Sequence, residues 1–274
     1  MVGGYIPFGM QEALEILAGG GCVPYAGGTD LMVKESAADT RYVFLHRIRD
    51  LKCITVDAEY FICGACCTYT ELLRSRHTPA ILKEAISQIA APAIRNTATI
   101  GGNVANASPK ADAALILMVT DALVRLQSKR GVRIVPIKEL YLGRGVADIL
   151  PDELISEFWV PLSRARLPYF YEKVGARKAL AISRVSFAGI ADVSGGRVNH
   201  VATAFGAVED VIVRREEIDG MLTGLSVAEA QALKGEYLAA YDAAIKPIRG
   251  RVSAEYRKAV CGNLLGAFFD SHIK

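Results

Sequence analysis

The chain has 274 residues, 51% of them hydrophobic and 22% charged, and 32 Lys and Arg against 29 Asp and Glu leave a formal net charge of +3. A chain this apolar can bury enough surface to fold, which excludes disorder, and its length suits one large domain or two ordinary ones. Mean hydropathy is high at +0.25, but no stretch approaches the roughly 18 consecutive apolar residues that span a membrane, and so balanced a charge argues against a nucleic-acid partner.

In chain order, Gln11 to Ala18 has helical periodicity and stops at Gly19-Gly20-Gly21. Cys22 to Ala26 predicts a short strand running into Gly27-Gly28-Thr29-Asp30, followed by a short helix or strand over Leu31 to Lys34 and by the apolar Val43-Phe44-Leu45. Strands over Ile54 to Val56 and Tyr60 to Gly64 precede Thr68-Tyr-Thr-Glu71, a capping box that opens a helix. Thr78-Pro79 predicts the next helix start, with threonine as N-cap, and that helix ends before Ala91-Pro92. A second glycine pair stands in Thr99-Ile-Gly101-Gly102-Asn103, and an apolar helix follows over Asp112 to Val119, stopped by Thr120 and Asp121. Ala122 to Gln127 and Arg133 to Pro136 read as a hairpin whose turn ends at Gly131, and Glu157 to Val160 as a strand closed by Pro161. A domain boundary is expected near 163–168. Beyond it, Val185 to Val193 and Val198 to Phe205 predict an antiparallel hairpin through Ser194-Gly195-Gly196. Helices follow, one opened by the capping box Ser226-Val-Ala-Glu229 and one over Ala254 to Phe269. Both halves mix α and β, without a solenoid-type repeat.

The N-terminus lacks a basic region followed by an apolar core, so no secretory signal is expected, and the six cysteines read as reduced cytosolic thiols. Four crowd into Cys53 and Cys63-Gly-Ala-Cys66-Cys67, but a metal site needs about four ligands and no second C-x-x-C pair exists. The four histidines are scattered. Alternation of Ile54, Val56, Phe61 and Cys63 instead places the cysteines on strands as small hydrophobes.

Fingerprints for a plain Rossmann domain, a P-loop, a zincin or an α/β-hydrolase are absent. What remains is the two glycine pairs. Glycine lets a backbone approach an anion closely, and successive amides can donate to phosphate, so two such loops suit a pyrophosphate; taken alone, each pair is better accounted for by an ordinary turn.

The flanking residues carry more information. Ala26-Gly-Gly-Thr-Asp-Leu31 and Thr99-Ile-Gly-Gly-Asn-Val-Ala-Asn-Ala-Ser-Pro-Lys-Ala-Asp112 closely resemble the two flavin-binding motifs of the FAD-binding (medium) subunits of molybdenum hydroxylases, the xanthine, nicotinate and carbon monoxide dehydrogenase type. The similarity continues through Cys67-Thr-Tyr-Thr-Glu71, Arg133-Ile-Val-Pro136, Tyr171-Glu-Lys173 with Arg177, and Glu255-Tyr-Arg257. This resemblance implies an α+β fold in two parts: a vanillyl-alcohol-oxidase-type (PCMH-type) FAD-binding domain over residues 1–165 and a small α+β C-terminal flavoprotein domain over 166–274. It implies that Ala26, Gly27, Gly28, Thr29, Asp30, Leu31, Met32 and Val33 line the pyrophosphate through backbone amides and the Thr29 hydroxyl. Thr99, Ile100, Gly101, Gly102 and Asn103 form the second wall. Asn106 and Asp112 bond ribityl-side and ribose-side hydroxyls, Ile155 packs on flavin or adenine, and Lys173 sits near the isoalloxazine, where its charge favours an anionic reduced ring. Asp112 also suits an N-cap, Lys173 a solvated strand end, and Tyr171 the core.

By the same resemblance the protein is a cytoplasmic electron-transfer oxidoreductase subunit without a catalytic acid or base of its own. FAD is held non-covalently, since Tyr25 to Asp30 contains no histidine for attachment. Molybdenum cofactor and iron–sulfur clusters sit on a large and a small partner subunit, NAD+ is a candidate electron acceptor, and the substrate is chosen by the molybdenum chain. Two rivals remain open at this level: a self-contained flavin oxidoreductase of the same superfamily, and a flavin-free scaffold subunit.

Overall fold

The structure, a computed structural model, describes residues 3–33 and 39–274. In chain order these form β1 (Gly4–Tyr5), α1 (Met10–Ala18), β2 (Cys22–Tyr25), β3 (Arg41–Phe44), β4 (Ile54–Val56), β5 (Tyr60–Gly64), α2 (Tyr69–Arg74), α3 (Ala80–Ser87), α4 (Pro92–Arg95), α5 (Ile100–Ala105) and α6 (Asp112–Val119). There follow β6 (Leu123–Ser128), β7 (Gly131–Pro136), α7 (Ile137–Leu140), β8 (Tyr141–Gly143), β9 (Val146–Ala147), β10 (Leu154–Pro161) and α8 (Leu162–Ala165). The chain ends with β11 (Tyr169–Val174), β12 (Val185–Ser194), β13 (Arg197–Gly206), β14 (Val213–Arg214), α9 (Glu216–Asp219), α10 (Val227–Ala244) and α11 (Ala254–His272). Lys34, the end of one predicted short element, and Met1 and Val2 of the N-terminus lie outside the described residues.

The residues divide into two compact units, and the division is not contiguous in sequence. The first unit holds 1–79, 90–107 and 121–162, while the second takes 80–89 and 108–120 together with 163–274.

The first unit contains a small parallel sheet, ordered β1-β3-β2, and a five-stranded antiparallel sheet, ordered β4-β5-β10-β6-β7. Its core joins Leu14 and Leu17 of α1 to Val43, Leu51, Cys66 and Leu154. Two glycines make this packing possible. A Cβ on Gly64 would lie 2.3 Å from the Leu51 carbonyl carbon, and Gly131 (φ +142°) turns the β6–β7 hairpin.

The second unit is built on the antiparallel sheet β11-β12-β13-β14. The β12–β13 turn holds Gly195 and Gly196 at φ +60° and +71°, a conformation that suits the right-handed twist of a hairpin and that residues with a Cβ resist. Phe187, Phe205, Tyr237, Tyr241, Phe268 and Phe269 form an aromatic core between this sheet and α10 and α11. All eight residues of α6 are buried, and the helix packs against β12 and β13. Thr120 ends it by donating its hydroxyl back to the carbonyls of Ile116 and Leu117, and Asp121 then turns into the left-handed region at φ +53°.

Both capping boxes form: Thr68 and Ser226 each accept the amide of the glutamate three residues on, and each glutamate accepts the cap residue's amide. The helix start at Thr78 is corrected. α3 begins at Ala80, and the buried Thr78 hydroxyl finds no hydrogen-bond partner among the described residues, so it does not cap. α4 and the β8–β9 ribbon have too few periodic residues to be read from sequence.

Candidate functional site

The first glycine segment leaves the end of β2, whose Tyr25 pairs with Phe44 of β3 and packs its ring on Tyr42 and Phe44. Backbone meets backbone at Gly27: a Cβ there would lie 1.9 Å from the Thr97 carbonyl oxygen. Gly28 adopts φ +67°, and a Cβ on it would strike the Tyr25 hydroxyl. The amides of Gly27, Gly28 and Thr29 donate to no acceptor among the described residues. Gly28 gives its carbonyl to Met32 N at 2.9 Å, and Leu31–Val33 close a short 3-10 turn in which Met32 and Val33 are exposed. Three adjacent unclaimed N–H groups on a fixed turn are the donor set an oxyanion requires.

The second glycine segment is not the loop of free amides that its composition suggests. Thr99 is the N-cap of α5 and its hydroxyl accepts from Gly102 N at 3.1 Å. The amides of Ile100, Gly101 and Asn103 donate to Cys67, Ala65 and Thr99 carbonyls at 3.1, 2.8 and 3.1 Å. Four consecutive donors are therefore spent on the fold. The two glycines also differ in purpose. A Cβ on Gly101 would lie 2.6 Å from both the Cβ and the carbonyl oxygen of Ala65, so this glycine serves packing. A Cβ on exposed Gly102 would meet only the Thr99 hydroxyl, at 3.1 Å. Gly102 thus offers a bare backbone surface to an approaching group. Asn106 is the C-cap of α5 and is half-buried, as is Asn103. Ile155 is buried on β10 opposite Leu126, in the strand against which α5 packs.

Asp112 and Lys173 belong to the second unit, where they meet. Lys173 Nζ lies 2.8 Å from Asp112 Oδ2, and the two side chains are 7% and 4% exposed. Lys173 also donates to the Gln88 carbonyl at 2.9 Å, and Ser183 donates its hydroxyl to Asp112 Oδ1 at 2.8 Å. Two expectations change. Asp112 is the first residue of α6, whose N-cap is Ala111 without a side-chain cap, so its carboxylate serves the ion pair. Lys173 is not a solvated strand end, and its charge is already balanced by Asp112, which weakens the idea that it biases a ring by itself. Desolvation leaves such a pair costly to break, because either charge alone would be stranded. Tyr171, two residues before Lys173, is buried with its hydroxyl unpartnered among the described residues; burial first, and then the Asp112 charge, push its ionisation up. Sequence reasoning missed Ser183 and Gln88, and no local signal marks either.

Cys63, Cys66 and Cys67 are buried as small apolar groups, whereas Cys53 is exposed. Burial pushes the Cys66 and Cys67 thiols up to about 12, so they stay protonated at neutral pH.

Residues 1–163 match the FAD binding domain in molybdopterin dehydrogenase, and residues 170–272 match the CO dehydrogenase flavoprotein C-terminal domain. The chain is 32% identical over 198 residues to the xanthine dehydrogenase FAD-binding subunit of Escherichia coli O157:H7, covering 69% of this chain and 68% of that one. It is 30% identical over 268 residues to the carbon monoxide dehydrogenase medium chain of Afipia carboxidovorans, covering 94% and 92%. A chain of the Cu,Mo-CO dehydrogenase in its cyanide-inactivated form superposes with a TM-score of 0.87 at 28% identity, covering 96% of this chain and 94% of that chain. By class, then, the chain is a mixed α and β flavoprotein, a component of an oxidoreductase. It belongs to the family of FAD-binding medium subunits of molybdenum hydroxylases.

Proposed function

We propose that the chain holds FAD non-covalently and serves as the electron-transfer subunit between a partner iron–sulfur chain and a terminal acceptor. The observation that carries this reading is the first glycine turn: Gly27, Gly28 and Thr29 present unclaimed amides at a positive-φ glycine, beside a segment where Gly102 leaves room for close approach. Within Ala26 to Val33, the amides of Gly27, Gly28 and Thr29 would hold the pyrophosphate, while those of Met32 and Val33 close the turn on the Gly28 and Asp30 carbonyls. Thr99 to Asn103 would contribute surface and the Asn103 side chain, because their amides are engaged. Asn106 and Asp112 would accept from hydroxyls of the cofactor, Ile155 would supply an apolar contact, and Lys173 would hold the Asp112 carboxylate in place. The chemistry bound FAD supplies is transfer of electrons from iron–sulfur clusters on a small subunit, reduced by a molybdenum cofactor on a large subunit, to NAD+ or another acceptor. The chain's own residues bind and orient, and none is assigned as acid or base.

The family matches break between 163 and 170, which supports a division into an FAD-binding domain over 1–165 and a C-terminal domain over 166–274. Six free cysteines favour a cytoplasmic setting; no helix among the described residues is long and apolar enough to cross a membrane.

The visible spectrum of the purified full chain tests the reading. Flavin bands that survive gel filtration and are released by denaturation are expected. A folded chain that carries no flavin and binds none on titration with FAD would overturn it in favour of a scaffold role. Turnover of a small substrate by the flavin-loaded chain alone would favour a self-contained oxidoreductase.

A further inference from the structure

The loop 175–184, which joins β11 to β12, is tied into one compact piece by its own atoms. Arg184 N donates to the Val174 carbonyl at 2.8 Å across its base. Gly175 lets Ala181 close against it, since a Cβ there would lie 2.7 Å from the Ala181 Cβ. Arg177 bridges the tip, donating Nε to the Ala179 carbonyl and Nη2 to the Leu180 carbonyl at 3.0 and 2.8 Å. Leu180 takes the left-handed conformation at φ +55°, a strained state for a leucine. One side-chain tether leads from this piece to a site residue: the hydroxyl of Ser183, 3% exposed, on Asp112 Oδ1.

We propose that Ser183 is a positioning residue that couples occupancy of the Asp112 carboxylate to the order of loop 175–184. The inference rests on the reading of Asp112 as a flavin-site residue. Asp112 receives Lys173 on one oxygen and Ser183 on the other, so its rotation about the side chain moves both partners. A ligand hydroxyl bonded to that carboxylate narrows its orientations. Ser183 passes the restriction to the loop, whose internal bonds make it respond as a unit. Removal of the Ser183 hydroxyl leaves the Asp112–Lys173 pair intact, so the ligand still binds while the loop no longer responds. Linkage makes the coupling reciprocal, so an ordered loop also favours the ligand.

Amide hydrogen exchange over 175–184, measured on the full chain with and without bound FAD, tests this. In the wild type, FAD is expected to slow exchange in the loop about tenfold, the size of effect one buried charge-assisted hydrogen bond supports. Ser183→Ala should keep flavin absorbance yet show the same loop exchange with and without FAD, and Ser183→Thr should restore the difference. Full flavin-dependent slowing in Ser183→Ala would overturn the proposal. So would a flavin-loaded wild type whose loop exchanges as fast as the flavin-free chain, a result that does not depend on any variant folding. A wild type that binds no FAD overturns the flavin reading and this coupling with it, and the absorbance distinguishes that case.

Discussion

A Cβ on Gly101 would overlap the Ala65 backbone, and one on Gly27 would overlap the Thr97 carbonyl, whereas one on Gly102 would touch only the Thr99 hydroxyl. Neighbouring glycines in one motif therefore answer to different constraints. Gly101→Ala and Gly27→Ala are expected to destabilise the protein by about 1–3 kcal/mol through overpacking against backbone that cannot move aside. Gly102→Val should fold with a stability change within about 1 kcal/mol, since helix propensity favours valine over glycine by a few tenths. It should nonetheless lose flavin, because the valine would fill the space a phosphate needs. Thermal melts and flavin absorbance, measured side by side, separate the two classes of glycine. A Gly102→Val protein that stays loaded would show that the cradle lies elsewhere. The sequence marked both glycine pairs and could not tell packing glycine from binding glycine, since the distinction lies in Ala65 and Thr97, residues far along the chain.

At the level of elements, the two capping boxes were legible because the bonds that make them span three residues. Ser226→Ala should cost about 1 kcal/mol by leaving an α10 amide without its acceptor. Thr78, read as an N-cap from the Thr78-Pro79 pair without a partner glutamate, fails to cap. Thr78→Val is therefore expected to be neutral or stabilising, since it removes a buried hydroxyl without a partner. Denaturant titrations of the two variants should move in different directions or by different amounts. The edge strand β7 offers a pH test. Arg133 donates to both oxygens of Glu153 at 2.9 and 2.8 Å and to Asp148 at 2.7 Å. Burial opposes ionisation of Glu153, but the Arg133 guanidinium and the Leu150 amide outweigh it and hold its carboxyl below the ordinary value of 4.5. A depressed carboxylate contributes its stability in full above that ordinary value and loses it as pH falls through the lower folded value. Wild type should thus lose its melting-temperature advantage over Glu153→Gln as pH is lowered from about 5 toward 3, a window set by that shift.

On the scale of the whole molecule, the apolar excess has visible destinations among the described residues: the core clusters around Leu14 and around Phe187, the fully buried helix α6, and exposed side chains such as Phe8, Val33 and Leu142. Ligand linkage supplies a global test of the flavin reading. FAD at a hundred times its dissociation constant adds about 2.7 kcal/mol to stability, which for a chain of this size raises the melting temperature by roughly 5–10 °C. Differential scanning of the flavin-free chain with added FAD should show that rise, and Gly102→Val should show none.

The sequence by itself determined most helices and strands, the stops at Gly19 and Thr120, the Gly195-Gly196 hairpin and the membership of a flavoprotein family. All of these rest on periodicity, caps, turn residues and motifs, interactions among residues a few positions apart. Only the tertiary structure decided that residues 80–89 and 108–120 pack with the C-terminal portion, and that Asp112 joins Lys173 and Ser183, 61 and 71 positions away. It also decided that the amides of the second glycine segment are already engaged. Such contacts carry no local signature, because the free energy that fixes them comes from desolvation and close packing between segments whose proximity the fold itself creates.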